Sequence, residues 1–295
     1  MKCFNIQDAT PEQLRALQDK SFQILEFFDA FCTQYQLTYW LGGGSLIGAI
    51  RENDILEWDD DIDVFMPRDE YERFIKLFSQ YKKNSQYQLG YTTEQDNYHS
   101  TCISLHDTET TFINKHSQHE DILHGIYLDI MPMDYVVKGG KLKTLKQKIC
   151  AILYDLYIVQ RPAVNQGKLI FFITSFLLYL VPSKKLKYKL AKFFEKKMLA
   201  SKESRSNEML ELVTNFKALF RHYDHTFFDV NERYLFGKNS YPVPSGYHEY
   251  LTACFGDYMQ PPKMTYRKPK HQTVFVDTEN SFKKYKGIYY YVTKE

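Results

Sequence analysis

The sequence predicts an α+β fold in which helices pack against a mixed, mostly antiparallel sheet. Two observations lead to this prediction. An amphipathic helical pattern opens the 295-residue chain, and short runs of strand length follow it as far as residue 131. From residue 140 to about residue 220 the pattern becomes helical and basic, which predicts a helical insertion. A chain of this length can bury a sizeable core as one large domain or as a domain with an insertion.

The first helix is predicted to begin at Pro11. Thr10 can cap it, and Gln13, three residues later, completes the sequence signature of a capping box. Apolar residues then recur at helical spacing as far as Phe31. Residues 38–41 follow as a short strand that ends in a glycine-serine turn, and residues 46–51 follow as a helical turn.

Further strands are predicted around one more helix. The helix covers residues 68–81, and the last strand is predicted to end at Pro132. Four prolines predict a loop in the C-terminal part of the chain. The strands are predicted at residues 61–66, 87–91, 102–105, 110–113 and 126–131, and the prolines stand at positions 242, 244, 261 and 262.

Charge is spread unevenly along the chain. The net charge is only +2, yet residues 138–202 hold 14 lysines and one arginine against two acidic residues. This asymmetry predicts two regions with different partners. Nucleic acid is a poor candidate partner because the lysines flank an apolar run and do not alternate with exposed aromatic residues and arginine.

Residues 169–181 form a run of 13 residues without charge, which follows Lys168 and precedes Lys184 and Lys185. Crossing a bilayer takes about 20 apolar residues, so this run is too short. It is either a buried core helix or a helix that lies in a membrane surface, where the lysines would be attracted to anionic lipid.

The cysteines and the N-terminus predict a cytoplasmic protein. The five cysteines are scattered, their number is odd, and no Cys-x-x-Cys pair occurs, so reduced thiols are expected and not a disulfide or zinc framework. The first eight residues lack the apolar run of a signal peptide.

The most informative chemical signal is the acidic run at residues 59–63, which holds four aspartates directly before the apolar residues 64–66. Like charges packed this densely repel one another unless a cation screens them. In a strand, Asp59, Asp61 and Asp63 would share one face. Three oxygen ligands suit a hard cation, Mg²⁺ or Mn²⁺. The simpler alternative is a solvated acidic turn before a core strand.

Two other features point to a site that handles phosphate. The glycine-serine turn at residues 42–45 lets a backbone approach a phosphate and offers N–H donors. Asp129 lies between apolar residues of a predicted strand, where an unpaired carboxylate would be costly. Three aspartates on adjacent strands can hold one or two Mg²⁺ ions against a diphosphate, and such a mechanism needs no enzyme nucleophile.

Three motifs carry a resemblance to a known family. Residues 41–51, Leu-Gly-Gly-Gly-Ser-Leu-Ile-Gly-Ala-Ile-Arg, and residues 58–63, Trp-Asp-Asp-Asp-Ile-Asp, resemble the signature of the LicD-type phosphotransferases, which the fukutin-related proteins share. Residues 127–134, Tyr-Leu-Asp-Ile-Met-Pro-Met-Asp, resemble the family's second acidic motif, and residues 250–271 resemble its C-terminal block. The matches run from about residue 38 to residue 272.

The resemblance implies a nucleotidyltransferase-like fold. It also implies transfer of a substituted phosphate, typically phosphocholine from CDP-choline, to a cell-surface glycan such as lipopolysaccharide or teichoic acid, or to its lipid-linked precursor. The domains would be a catalytic core over residues 1–137, a basic helical insertion over 138–222 and a C-terminal segment over 223–295 that completes the cleft. The partners would be a CDP-linked donor, the glycan acceptor and an anionic membrane surface on the inner face of the plasma membrane.

The resemblance also implies roles for single residues. The metal-binding catalytic triad would be Asp61, Asp63 and Asp129, which would bind Mg²⁺ or Mn²⁺, and Asp59 is a further candidate ligand. The substrate-binding residues would be Gly44, Ser45, Arg51, Arg267 and His271.

Two positions depart from the family pattern. Glu52 stands where a basic residue or histidine is expected, and Glu57 stands where proline is common. Two alternatives stay open: a glycosyltransferase whose Asp-x-Asp motif binds a nucleotide sugar, and a catalytically inactive binding protein.

Overall fold

The computed structural model describes residues 1–81, 86–163, 166–229 and 231–292. Helices and strands occur in mixed order, which confirms the α+β class. The helices are α1 (Pro11–Tyr35), α2 (Gly43–Arg51), α3 (Arg68–Gln80), α4 (Lys141–Val159), α5 (Lys168–Leu180), α6 (Lys184–Met198) and α7 (Tyr247–Phe255). The strands are β1 (Lys2–Cys3), β2 (Trp40–Leu41), β3 (Asp63–Pro67), β4 (Tyr87–Gly90), β5 (Ile103–Asp107), β6 (Thr111–Asn114), β7 (Ile126–Val137), β8 (Arg205–Leu210), β9 (Tyr223–Asp224), β10 (Asn231–Phe236), β11 (Asn239–Pro244) and β12 (Thr273–Asp277).

The chain forms two compact units. The first consists of Met1–Gly90, Ser104–Ile130 and Phe227–Glu295, and the second consists of Tyr91–Ile103 and Met131–Thr226. The three-part division by domain that the sequence suggests stays a prediction.

Helix α1 opens the first unit with the capping box that the sequence predicts. The Thr10 hydroxyl accepts from the Gln13 backbone N–H, and the Gln13 side chain accepts from the Thr10 N–H. The apolar face of α1 is buried. Phe28 packs edge-on against Phe74 of α3 and against Tyr39, which precedes β2. These aromatic contacts hold α1 against the helix and the strand that flank the acidic run.

The central sheet has the strand order β2-β3-β7-β5-β4, and the β2–β3 and β4–β5 pairs are antiparallel. A smaller antiparallel sheet has the order β1-β12-β6. Strand β12 begins two residues after His271, and β6 pairs with it. The small sheet therefore fixes the end of the C-terminal loop that carries His271.

Two predictions based on prolines were wrong: that the last predicted strand ends at Pro132, and that Pro242 and Pro244 lie in a loop. Strand β7 continues through Pro132 to Val137, because a proline removes one donor but tolerates extended backbone. The register of β7 with β8 begins only at Asp134, beyond the proline. Pro242 and Pro244 lie in β11, which pairs with β10 in a two-stranded sheet, where a missing N–H is tolerated at the edge.

The second unit is built on helices α4 and α6, as the basic helical pattern predicts, but it also contains the strand pair β8 and β9. Gln147 joins three of its segments. The Gln147 amide donates to the carbonyls of Tyr135 and Met198, and its oxygen accepts from the Val137 N–H. A core of buried apolar side chains surrounds this link, including Tyr154, Ala191 and Leu212.

Helix α5 corresponds to the uncharged run. The sequence left open whether this run is a buried core helix or a helix in a membrane surface. Leu178 is the only buried residue of α5 and most of its large apolar side chains are exposed, which disfavours the core helix. Within the described residues, no single helix has the length and hydropathy needed to cross a membrane. Helices α5 and α6 meet that requirement only as a pair, and they are bent by 113° at the short break between them.

Candidate functional site

The acidic run and Asp129 meet in the first unit, where β3 lies beside β7. The backbone N–H of Asp129 donates to the carbonyl of Ile62 at 3.3 Å. The Ile62 side chain is fully buried, whereas its neighbours Asp61 and Asp63 are half-buried. Asp129 is likewise half-buried between two buried residues of β7. This alternation turns Asp61, Asp63 and Asp129 away from the core on neighbouring segments.

The glycine-serine turn supports this acidic cluster. Gly43 and Gly44 form the first turn of α2, and a Cβ at Gly44 would lie 2.3 Å from the Asp59 Oδ2 atom. Gly44 therefore leaves room for the Asp59 carboxylate, which is 3 % exposed. The buried Ser45 hydroxyl accepts from the Asp63 backbone N–H at 3.0 Å, so it fixes the start of β3. Binding of donor phosphate by Gly44 and Ser45 stays a prediction.

The C-terminal loop reaches the cluster through Asp60. The buried Asp60 carboxylate accepts from the backbone N–H groups of Lys270 and His271 and from the His271 Nδ1 atom, each at 3.2 Å. The His271 Nδ1 atom also lies 4.0 Å from the Asp61 Oδ2 atom. On the other side of the ring, the Nε2 atom lies 3.1 Å from the Tyr127 hydroxyl. His271 is therefore held between β7 and the acidic run.

Burial and mutual repulsion make the carboxylates of the cluster hard to ionise. Burial, and next to it the nearby Asp61 charge, raise the pKa of Asp59 to about 7. The pKa of Asp63 lies well above its usual value, because of burial and then of the charges on Asp61 and Asp129. Burial raises the pKa of Asp61 as well, against the charge on His271. The pKa of Asp129 is about 6, where burial outweighs a hydrogen bond from Ser104.

Two cationic side chains, Lys270 and His271, partly balance the negative charge of the carboxylates. Burial disfavours charge on Lys270, but Asp59, Asp61 and Asp63 raise its pKa overall. Burial also disfavours charge on His271, but the hydrogen bond to Asp60 and the surrounding carboxylates raise its pKa to about 9. Beside them opens a cavity of about 370 Å³, whose lining includes Asn114, Lys115, His116, Lys270, His271 and Gln272. This cavity offers positive charge to an anionic ligand next to the acidic cluster.

Arg51 and Arg267 both contact Trp58, the residue that precedes the acidic run. Their guanidinium carbons lie 5.7 and 5.3 Å from the ring centroid. Arg51 pairs with Glu52 at 2.7 Å and donates to the Tyr258 carbonyl. Arg267 donates to the Pro262 carbonyl and lies 4.0 Å from Glu57. The two glutamates that depart from the family pattern thus pair with the two arginines.

The residues present fit a divalent cation. Within the described residues, the Asp59 Oδ1 atom is buried and has no hydrogen-bond partner. Buried carboxylate oxygens are usually hydrogen-bonded, so this atom is available to a cation. Asp60, Asp61 and His271 each place one potential ligand atom so that all three atoms lie within 4.8 Å of one another. By the same measure, and again among the described residues, the carboxylate oxygens of Asp61, Asp63 and Asp129 are not all within 4.8 Å of one another. Metal binding by this triad stays a prediction.

Three features of the site escaped the sequence analysis. No specific role was predicted for Asp60, although it anchors the C-terminal loop. Ser104 of β5 donates to Asp129, and no local motif marks it. Lys270 was not predicted as a site residue, although its charge interacts with the acidic cluster. All three depend on contacts between segments that are distant in sequence.

The site thus places basic side chains and a cavity beside a set of carboxylates that are candidate metal ligands. The family model described as "LicD/FKTN/FKRP, nucleotidyltransferase domain" matches residues 36–139, which include the glycine-serine turn, the acidic run and Asp129. Residues 36–139 therefore resemble this family along their whole length, and the resemblance seen in the motifs is confirmed.

The relatives extend this likeness beyond the domain. A protein of Haemophilus influenzae named lipopolysaccharide cholinephosphotransferase LicD is 29% identical over 280 residues, which cover 88% of this chain and 96% of the relative. An uncharacterised protein of Rickettsia typhi is 26% identical over 33% of this chain and 31% of its own length. An uncharacterised protein of Rickettsia prowazekii is 25% identical over 38% of each chain.

Proposed function

We propose that the protein is a metal-dependent phosphotransferase. It transfers a substituted phosphate, phosphocholine from CDP-choline, to a hydroxyl group of lipopolysaccharide, of another cell-surface glycan or of a lipid-linked precursor. The name of the Haemophilus relative, which aligns with this chain over 96% of its own length, supports phosphocholine transfer to lipopolysaccharide. The CDP-linked donor and the metal ion are our extension of that likeness.

The observation that carries the proposal is the acidic cluster with its two cationic neighbours and the adjacent cavity. Four carboxylates of raised pKa stand within one site, and such a site is stabilised by a bound cation. We assign Asp61, Asp63 and Asp129 to hold Mg²⁺ or Mn²⁺, with Asp59 as a further ligand. The ion would supply neutralisation of the charge on the donor diphosphate.

The protein's own groups position the two substrates. Lys270 and His271 line the cavity and offer charged donors to the phosphate oxygens of the CDP-linked compound. The oxygen of the acceptor hydroxyl forms a bond to the donor phosphorus while the bond to CMP breaks, and CMP leaves with the bonding electrons. The hydroxyl proton passes to a carboxylate oxygen of the cluster that does not bind the ion.

We place this reaction in the cytoplasm, on the inner face of the plasma membrane, where lipid-linked acceptors are built. The glycosyltransferase alternative has no support from the matched family, which is a nucleotidyltransferase family. The inactive alternative would be favoured by loss of a triad carboxylate, and all three aspartates are present.

The proposal is tested by measuring CMP release from a panel of CDP-linked donors with Mg²⁺, in the presence and absence of lipopolysaccharide. We expect acceptor-dependent CMP release from CDP-choline and a loss of at least about 100-fold in Asp61→Asn. The exposed Asp257→Asn serves as the control and should retain activity. Turnover of nucleotide sugars instead, or undiminished activity of Asp61→Asn, would contradict the proposal.

A further inference from the structure

Helix α5 presents an apolar face to solvent. Phe172, Ile173, Phe176 and Leu180 follow Leu169 by three, four, seven and eleven residues, so the five share one side of the helix. Their exposed fractions run from 50% to 73%. The other side of α5 packs through Leu177 and Leu178 on the core of the second unit, as does Val181 directly after the helix. The apolar face is therefore exposed on a helix whose opposite side is packed against the core of the second unit.

Helix α4, which contacts α5, carries a second stripe of the same kind. Leu142, Leu145, Ile149 and Ile152 follow one another at spacings of three, four and three residues, and each is at least 40% exposed. The opposite side of α4 is buried through residues that include Tyr154. Two neighbouring helices of the second unit thus expose apolar stripes.

Positive charge surrounds these stripes. Lys168 begins α5, and the exposed Lys184 and Lys185 follow it at the start of α6. Four lysines lie in the first half of α4, and α6 has seven lysines against the single acidic residue Glu195. The combination of apolar area and basic flanks is complementary to an anionic lipid surface, which offers hydrocarbon beneath negative head groups.

Other occupants fit this surface less well. A second copy docked through the same face would bring two lysine-rich regions together, and like charges across an interface oppose association. A protein partner would need a polar rim with directional hydrogen bonds. The side chains of α5 offer few such groups, since only Thr174, Ser175 and Tyr179 carry polar atoms between Lys168 and the end of the helix.

We propose that the exposed stripes of α5 and α4, defined by the nine residues named above, dock the protein on an anionic bilayer. In this arrangement α5 lies in the head-group region with its apolar side chains inserted, and the flanking lysines contact anionic head groups. This inference rests on the proposed function, which places the reaction at the inner face of the plasma membrane. It adds the protein surface that binds the membrane there. Docking is an equilibrium binding property, so it is tested without any turnover.

The test is flotation of the full-length protein with vesicles of phosphatidylcholine, with and without phosphatidylglycerol. We expect the protein to float with the anionic vesicles at low salt and to be released at high salt. Phe172→Ser/Phe176→Ser should weaken partitioning by at least about tenfold. Ile288→Ser, at a residue that is 61% exposed outside these helices, should leave it unchanged. Circular dichroism and urea unfolding of each variant verify that the fold is kept.

A charge pair of variants completes the test. Lys184→Gln/Lys185→Gln should weaken binding by about tenfold or more, whereas Lys76→Gln/Lys283→Gln, at exposed positions of the first unit, should not. Absence of flotation with anionic vesicles at low salt would overturn the proposal. The proposal would also be overturned if the wild type formed a stable dimer that does not bind vesicles, and if the Phe172→Ser/Phe176→Ser variant were monomeric. Failure of CMP release alone would count against the proposed reaction and leave docking untouched.

Discussion

Asp60 and His271 are joined twice, because the Asp60 carboxylate accepts from both the backbone N–H and the ring Nδ1 of His271, each at 3.2 Å. A third hydrogen bond comes from the backbone N–H of Lys270. Asp60 is only 3% exposed, so these bonds are shielded from water. One carboxylate of the acidic run thereby ties down the C-terminal loop and brings two basic residues to the site.

The first prediction concerns this anchor. Asp60→Ala leaves three donors of the loop without an acceptor and a cationic histidine without its partner. We expect the free energy of unfolding to fall by about 3 kcal/mol, because the bonds are buried and charge-assisted. Urea denaturation measures this loss. Limited trypsin digestion should also cleave the loop faster after Arg267 or Lys270.

Asp121→Ala is the control for the Asp60 variant. Asp121 pairs with Lys286 while both side chains are about half exposed, and such pairs contribute less than about 1 kcal/mol. Equal stability and equal protease resistance of Asp60→Ala and the wild type would show that the loop is held by other contacts.

The second prediction concerns the repulsion within the cluster. Asp63 is held between Asp61 and Asp129, and its pKa lies well above the usual value, so its charge destabilises the metal-free fold. Asp63→Asn should therefore raise the melting temperature in EDTA. The wild type should be stabilised by saturating Mg²⁺ or Mn²⁺, by about 2.7 kcal/mol at a hundredfold excess over Kd.

The variant should lose most of that response to the ion. Thermal unfolding in EDTA, MgCl₂ and MnCl₂ measures both effects, and Asp257→Asn is the control, since it changes an exposed carboxylate. A lower melting temperature in EDTA, or a full metal response in Asp63→Asn, would remove Asp63 from the assigned ligands.

Local patterns were enough to predict much of the fold. The capping box at Thr10, the helical spacing of α1 and the alternation around Ile62 act over a few residues, and each is visible in the sequence. The contact between Asp60 and His271 spans 211 positions, and no periodicity reports it. The sequence also could not predict that the apolar face of α5 is exposed, because helical spacing of apolar residues does not show whether another element covers that face.

The third prediction uses the space at Gly44. A methyl group there would lie 2.3 Å from the Asp59 Oδ2 atom, so Gly44→Ala must displace the Asp59 carboxylate. Alanine favours a helix over glycine by about 1 kcal/mol, which offsets part of the strain. We expect the free energy of unfolding to change by less than about 1 kcal/mol and the stabilisation by Mn²⁺ to fall.

A double-mutant cycle isolates the cause of this effect. In the Asp59→Ala background the clash is absent, so Gly44→Ala should have little further influence on the metal response. Additive effects of the two substitutions on Mn²⁺ stabilisation would mean that Gly44 acts independently of Asp59.

The fourth prediction concerns His106 of β5, which is 1% exposed and lies 3.0 Å through Nδ1 from the Gly125 carbonyl. Burial lowers the pKa of His106 to about 3. The unfolded chain, with a pKa near 6.5, therefore binds a proton over a pH range in which the folded protein does not. The stability that neutral His106 allows is fully present above about pH 6.5 and is lost as the pH falls below it, by about 1.4 kcal/mol per unit.

Substitution by glutamine tests this dependence, because His106→Gln keeps an N–H donor for the Gly125 carbonyl but does not titrate. The variant should be less stable than the wild type at pH 7, owing to poorer packing against Tyr127. The difference between the two should narrow by about 2 kcal/mol between pH 6.5 and about 4.5, since only the wild type loses stability through this residue. Urea unfolding at a series of pH values measures the difference, and the exposed His119→Gln is the control. Parallel stability curves for His106→Gln and the wild type would mean that His106 accepts its proton in the folded protein as readily as in the unfolded chain.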